Sequence, residues 1–533
     1  MNNLALSAFL AAIPMIIIFY LLAIRKAPGH VSGIAATAAA VLIAIFAYSM
    51  PVGTVLTATA MGALYGVFPI FWIVLTAIFI YNMTVETGQF EIVKNSIAAI
   101  TDDRRLQALL VAFAFGAFLE GAAGFGTPVA ISAGMLVGLG FNPLYAAGLC
   151  LIANTAPVAF GGIGIPIIVA GQVSGVDTMK ISAMVGRQLP FLSVIIPIWL
   201  VVLMSGWKSA MEVLPACLVA GVAFASLQWW SSNFLGPELP DILSSLAAII
   251  CLTFFLKVWK PAKIWRFADE APAQAAATLP KYTTGQIIKA WSPFILLTIF
   301  VILWGLKPVA AMLNAATISW VVPGLHKVVI QVAPIAKQPV AMAAIYKINW
   351  LSAAGTALLF ASIASALVLG VGPSRYFKIL GKTFTQLQKP LITIPAVLGL
   401  AYVMNYSGMS ATLGLVLAGT GHYFPLFAPL LGWLGVFLTG SDTSANALFG
   451  NLQAVTAEQV GVDPVLTVAA NSSGGVTGKM ISPQSIAVAT AATGLVGKEG
   501  ELFSFTVMHS FILAIAVCLM TYAQAYMLSW MIP

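Results

Sequence analysis

Apolar residues in this chain fall in long blocks rather than at the spacing of an amphipathic helix or strand, and most blocks approach the roughly 20 residues that cross a bilayer's hydrocarbon. Spans are predicted near residues 7–24, 31–49, 57–82, 144–169, 189–206, 211–230, 242–259, 291–306, 350–370, 390–406, 464–488 and 503–530. Two further blocks, 106–140 and 424–460, are broken at their middles by polar, glycine-rich tips and read as re-entrant helical hairpins. The expected fold class is an all-α polytopic membrane protein with about 12 spans plus 2 hairpins.

The interruptions say more than the runs. FGAFLEGAAGFGTP (Phe115 to Pro128) is followed by ANTAPVAFGGIGIP (Ala153 to Pro166); LGVFLTGSDTSAN (Leu434 to Asn446) is followed by ANSSGGVTGKMISP (Ala470 to Pro483). Polar, unwound backbone at membrane depth survives only where protein or a wet cavity satisfies its hydrogen bonds. Each hairpin tip is therefore expected to face a broken helix, within 144–169 and 464–488, around a site near the midplane.

Composition agrees: 60% of residues are apolar, 8% are charged and the mean hydropathy is +1.00, which excludes a soluble core of this length. The first run has no cation before it and Arg25 and Lys26 after it, the reverse of a secretory signal peptide, so it is expected to stay as a span. Cys150, Cys217, Cys251 and Cys518 sit in apolar runs without CxxC spacing and are read as buried thiols. No metal-ligand spacing, phosphate loop or nucleophile and base pair occurs, so no cofactor, metal site or enzyme is expected.

Charge then orients the spans. With the N-terminus outside, 17 of the 24 Lys and Arg fall in inner loops, six (Lys180, Arg187, Lys307, Lys327, Lys337, Lys347) fall outside, and Lys479 lies in a span. This asymmetry accounts for the net charge of +8 and leaves a nucleic-acid partner without support. Both termini are predicted outside.

The same count makes the chain two inverted repeats. Repeat one covers 1–206, with hairpin 106–140 and broken helix 144–169; residues 207–290 hold two connecting spans and a basic, alanine-rich linker; repeat two covers 291–533, with hairpin 424–460 and broken helix 464–488. Residues 86–88 align with 406–408, 118–121 with 437–440 and 154–166 with 471–483. Segment 307–349, with four prolines, is left open between loop, surface helix and a further membrane excursion.

Ionisable residues inside spans cost roughly 2.5–3.5 kcal/mol each on insertion scales, so they need a reason. Glu120 at the first tip and Asp442 at the second are candidate proton carriers, against the alternative that each caps a half-helix or pairs with a cation. Lys479 admits two roles: attracting a substrate carboxylate, or pairing with Asp442. An anion cradle is read in Gly121, Gly124, Gly126 and Thr127 at one tip and Ser441, Thr443, Ser444 and Asn446 at the other. Asn154, Thr155, Asn471, Ser472 and Ser473 add donors from the broken spans. Small-residue helix packing is the competing explanation for the glycines. Glu86 and the residues from Asp102 to Arg105 read as a solvated cluster at the inner surface, and His422 and His509 as structural.

FGAFLEGAAGFGTPVAI, GFNPLYAAGLCLIANTAPVAFGGIGIPIIVAGQVSG, SSNFLGPELPDI, GWLGVFLTGSDTSANALF and ANSSGGVTGKMISPQSIA resemble the bacterial L-lactate permease family along nearly the whole chain. The resemblance implies uptake of L-lactate, with D-lactate and glycolate, by proton symport across the bacterial inner membrane. It also implies a multi-pass protein among membrane lipid, and more distantly an elevator-type ion-transporter superfamily whose members often form homodimers. Lactate would be held by the tip N–H groups and the Asn, Ser and Thr side chains, its methyl against Phe125 or an alanine. The alternatives are a symporter of another small organic anion, possibly sodium-coupled, and an ion channel or ion-pumping subunit.

Overall fold

The computed structural model describes residues 4–25, 27–124, 126–267, 280, 282–335 and 338–533. Readings that rest on Lys26, Phe125, Lys281, Lys337, the side chain of Thr127 or the centre of the 257–289 linker lie outside the described residues.

Helices dominate because the backbone must satisfy its own polar groups in lipid. Among the described residues, 11 helices are long and apolar enough to cross a membrane, or 12 if the bent pair Pro143–Ala153 and Val158–Ser174, angled at 65°, is one span. Burial sorts them. Gly29–Phe46 and Thr284–Gly305 are 28% buried along their apolar windows, whereas Arg104–Ala122 is 100% buried, so the first arm of the first hairpin is surrounded by protein.

Both tip-bearing blocks fold as helix–turn–helix pairs. The first climbs through the π-helical segment Ala108–Phe115 and the helix Gly116–Ala122, turns at residues 123–126, and returns as Thr127–Gly138. Gly124 (φ +57°) and Gly126 (φ +82°) occupy the left-handed region that the turn requires. The second pair is Phe424–Thr439 and Asp442–Val460, joined at Gly440 and Ser441. A Cβ on Gly435 would lie 2.8 Å from the Ala445 methyl and 2.9 Å from the Phe449 ring, so its two arms pack directly on each other.

Local features recur in the same order in both halves. Gly88 and Gly408, both left-handed, join a span to a short helix, Gln89–Ala98 or Met409–Ala418. Asn142 and Asp463, each before a proline, cap the next helix through their side chains.

The two breaks differ. Pro143–Ala153 ends in a true unwinding through Asn154–Pro157, and Gly162, Ile163 and Gly164 keep positive φ beyond it. Pro464–Lys479 instead stays helical, and the chain breaks only at Met480–Ser482 before Pro483–Thr493. The interruption expected over Ala470–Pro483 is thus confined to its last residues, and Ala470–Lys479 stays helical. Its glycines are a packing seam: Gly474 abuts the carbonyl of Pro429 and Gly478 that of Trp433, leaving no room for side chains.

Leu214–Phe234 and Pro240–Val258 form an antiparallel pair, the second packed against the first hairpin at Gly121. The 307–349 segment is a short helix, Lys307–Asn314, and two two-stranded antiparallel sheets: β1 (Ile318–Val321) with β4 (Ile345–Ile348), and β2 (Ile330–Gln331) with β3 (Val340–Ala341).

Loops given the same side by charge meet one another. Arg105 reaches Ser209, Glu212 and Lys263, and Lys382 reaches Glu86; at the other end Arg187 donates to the Met531 carbonyl and Gln459 to that of Pro334. Two surface readings are corrected. Asp103, Arg104 and Arg105 are buried rather than solvated, because Arg105 is clamped between Asp103 (2.7 Å) and Glu212 (2.8 Å). Cys251 is exposed, since its side of the helix faces outward, while the other three cysteines are buried.

Candidate functional site

Four helices begin at one point. Thr127–Gly138, Asp442–Val460, Pro483–Thr493 and the right-handed part of Gly161–Ser174, which begins at Ile165, start beside a small cavity lined by Glu120, Gly124, Gly126, Gly161, Gly162, Ser441, Asp442, Thr443, Lys479, Gln484 and Ser485, among others. Each helix start carries unpaired N–H groups and the positive end of the helix dipole. Four of them with one lysine make a field that favours an anion. The cavity holds about 70 Å³, far below the ~300 Å³ at which drug-sized ligand pockets begin. A cavity of that size admits a molecule of only a few heavy atoms.

Two buried acids balance that field. Lys479 Nζ donates to Glu120 Oε1 at 2.8 Å, and Asn154 Nδ2 donates to Oε2 at 2.9 Å, so both Glu120 oxygens are engaged. Gly161 makes this possible: a Cβ there would sit 2.5 Å from Glu120 Oε1. Gly162 (φ +54°) backs onto Gly124, and a Cβ on Gly124 would meet its nitrogen at 3.4 Å.

Asp442 begins its helix just after Ser441, whose side chain accepts from Ser444 N at 3.2 Å. Asp442 Oδ2 accepts a short hydrogen bond from Ser472 Oγ and one of 3.3 Å from Asn446 Nδ2. Behind it runs an amide chain: Asn471 Nδ2 donates to Asn446 Oδ1 at 2.8 Å, and Gln453 Nε2 to Asn471 Oδ1 at 3.0 Å. Oδ1 of Asp442 has no hydrogen-bond partner among the described residues and faces Gly475, where any side chain would collide with it.

A larger, mainly apolar cavity of about 910 Å³ meets the small one at Ile165, Ser441, Thr443 and Gln484. It runs outward to His30, Lys389 and Glu499, which lie in the first turns of their helices at the end that the charge count places inside. At the other end the chain is shut. Gln172 Nε2 donates to Tyr402 Oη at 2.5 Å, Asn405 Nδ2 to the Val173 carbonyl at 2.9 Å, and Tyr346 Oη to the Phe68 carbonyl at 2.8 Å.

Of the candidates from sequence, Glu120, Gly124, Gly126, Ser441, Asp442, Thr443 and Lys479 line the small cavity. Thr127 opens one of the four helices. Ser444 lines only the larger cavity, and Asn154, Asn446, Asn471 and Ser472 hold the two acids from behind. Gly121 is turned away, packed on Asp241 and Ile242, while Thr155 and Ser473 are buried with unpartnered hydroxyls among the described residues. Lys479 pairs with Glu120 rather than Asp442, because the first tip reaches it directly. Sequence reasoning missed Gly161, Gly162, Gln484 and Ser485; the doubled glycine and the residues just after Pro483 were the available signals.

A sequence profile described as L-lactate permease matches residues 7–528. The chain belongs to the L-lactate permease family. It is 54% identical to the L-lactate permease of Salmonella typhimurium over 100% of this chain and 98% of the relative. It is 53% identical to the glycolate permease GlcA of Escherichia coli and to the L-lactate permease of Bacillus subtilis, over the same shares of each. These relatives are permeases, and this member of the family is a multi-pass membrane transporter rather than an enzyme. Among solved structures, the MtrF efflux pump of Neisseria gonorrhoeae is similar over 91% of this chain and 85% of its own, at 13% identity and a TM-score of 0.47. The YdaH transporter of Alcanivorax borkumensis covers 87% of each chain at 14% identity and a TM-score of 0.45. Likeness at this level assigns neither substrate nor mechanism.

Proposed function

We propose that this protein takes up lactate and related 2-hydroxy monocarboxylates such as glycolate, together with protons, across the bacterial inner membrane. The observation that carries this is the meeting of four helix starts and Lys479 at a cavity sized for a few heavy atoms. The names of the relatives, lactate and glycolate permeases, point to the same substrates. The substrate carboxylate lies among the tip N–H groups and Lys479, and its hydroxyl finds donors and acceptors in Ser441, Thr443, Gln484 and Ser485.

Charge balance supplies the coupling. Lys479 neutralises Glu120. An anion that takes Lys479 leaves Glu120 ionised in a buried place, which is costly unless the acid gains a proton. Loading one anion with one proton keeps the site's net charge unchanged, and the mutual preference of the two ligands is linkage. Asp442 stands on the second tip as the other acid able to carry a proton.

Two inverted repeats with re-entrant hairpins and both termini outside are the architecture we infer, supported by the recurring glycines and caps and by the same-side loop contacts. In that orientation the larger cavity opens the site inward while Gln172, Tyr402 and Asn405 close it outward. Alternating access then proceeds by elevator-like movement of the hairpins and broken helices past the remaining helices.

Purified protein in liposomes tests the reading. Lactate or glycolate added outside should acidify the lumen in step with substrate influx, equally with and without sodium. Substrate flux that leaves pH unchanged, or that needs sodium, would refute proton coupling; no flux of either acid would refute the substrate.

A further inference from the structure

A third acid, Asp241, is buried behind the first tip, and neither the cavity nor the ion pair uses it. It is the second residue of the helix Pro240–Val258 and is 1% exposed. Both carboxyl oxygens lack a hydrogen-bond partner among the described residues, as does Ser244 Oγ one turn along the same helix. A Cβ on Gly121 would lie 2.6 Å from the Asp241 Cβ, so Asp241 backs directly on the neighbour of Glu120.

A buried carboxylate ion needs donors or a cation of its own. Asp241 has neither. The charged groups near it are Glu120, from the first hairpin, and Lys479, from the helix Pro464–Lys479, which is already committed to Glu120. Glu238 precedes it on its own chain segment. The other elements packed on its helix are Leu214–Phe234, Gly161–Ser174 and Ala108–Phe115, and none carries Asp, Glu, Lys, Arg or His. A neutral carboxyl, by contrast, needs no cation.

We propose that Asp241 is a proton-binding residue of the transport cycle, neutral while the first tip packs on the Pro240–Val258 helix as seen here and ionising when the tip moves off it. Its O–H bond then breaks to water entering between Gly121 and Asp241, leaving the carboxylate solvated. Return of the tip expels that water and requires a proton to be taken up again. Gly121, read from sequence as part of the anion cradle, is in this account the contact that senses the tip's position. The inference rests on the proton-coupled reading above and adds a site to it.

The experiment compares wild type with Asp241→Asn, which keeps the shape of the neutral acid. In liposomes, lactate counterflow should stay within about threefold of wild type, while proton flux per lactate falls by about twofold, since Glu120 still carries its own proton. Wild-type proton flux per lactate in the Asn variant overturns the proposal. Infrared spectra give a readout that needs no transport: the protein should show the carbonyl stretch of a neutral carboxyl that is missing in Asp241→Asn. Should that variant fail to insert, Asp241→Glu replaces it and the band should shift; an unmoved band overturns the proposal. Wild type that moves no lactate would sink the functional reading but leave the infrared result standing.

Discussion

Lys479 Nζ and Glu120 Oε1 lie 2.8 Å apart although 359 residues separate them in sequence. The pair ties the helix Pro464–Lys479 to the first hairpin, and both residues are buried. Under the proposed mechanism an incoming anion would compete with Glu120 for the same ammonium, and the pair would act as a switch rather than a brace.

Removing one partner strands the other. Lys479→Ala should destabilise the protein by about 3–5 kcal/mol, whereas Glu120→Gln combined with Lys479→Ala should recover most of that loss. Thermal melting in detergent measures both, and equal melting of the single and double variants would show that the two groups do not interact. Lactate binding should be weak in each, because the double variant restores neutrality but no cation.

Asp442 differs in having no cation partner among the described residues and in being held by Ser472 and Asn446. Asp442→Asn should insert and melt near wild type, yet accumulate lactate against its gradient about tenfold less or worse under an imposed pH difference. Normal uphill uptake would remove this acid from the mechanism.

Gly161 is where backbone space controls the ion pair. Gly161→Ala would place a methyl 2.5 Å from Glu120 Oε1 and 3.1 Å from its Cγ, so the carboxylate must leave Lys479. Transport should fall about tenfold or more with expression retained. Gly53→Ala, with nothing within 4 Å, is the control that should change nothing.

The larger cavity predicts sidedness. A cysteine at Ser444, which lines that cavity, should react with a membrane-impermeant maleimide added from the cytoplasmic face and be protected from the other. Gln172→Ala removes a bond across the outer closure and should raise outer-face labelling several-fold, since losing one hydrogen bond of about 1 kcal/mol shifts a two-state balance by about fivefold. Labelling of Ser444→Cys from outside alone would reverse the assigned orientation.

Much of this was legible before any coordinates. Apolar block length placed the spans, because the hydrocarbon demands it of each segment separately. The left-handed glycines at 88 and 408 and the capping Asn142 and Asp463 were equally local, each needing only its own turn. The ANSSGGVTGK stretch misled for a physical reason. Glycines that loosen a helix and glycines that let another backbone approach look alike in sequence, and only the carbonyls of Pro429 and Trp433 show the second use.

What the chain alone determined is its kind: a helical membrane protein with two polar tips, two interrupted helices, and acids at Glu120 and Asp442 that lipid would not tolerate without purpose. Tertiary structure decided the partnerships. It gave Lys479 to Glu120, set Asp241 behind Gly121, and turned four helix starts onto one small cavity. Hydropathy and capping are written within a few residues of where they act, whereas charge pairing depends on distances across the fold that no local pattern encodes.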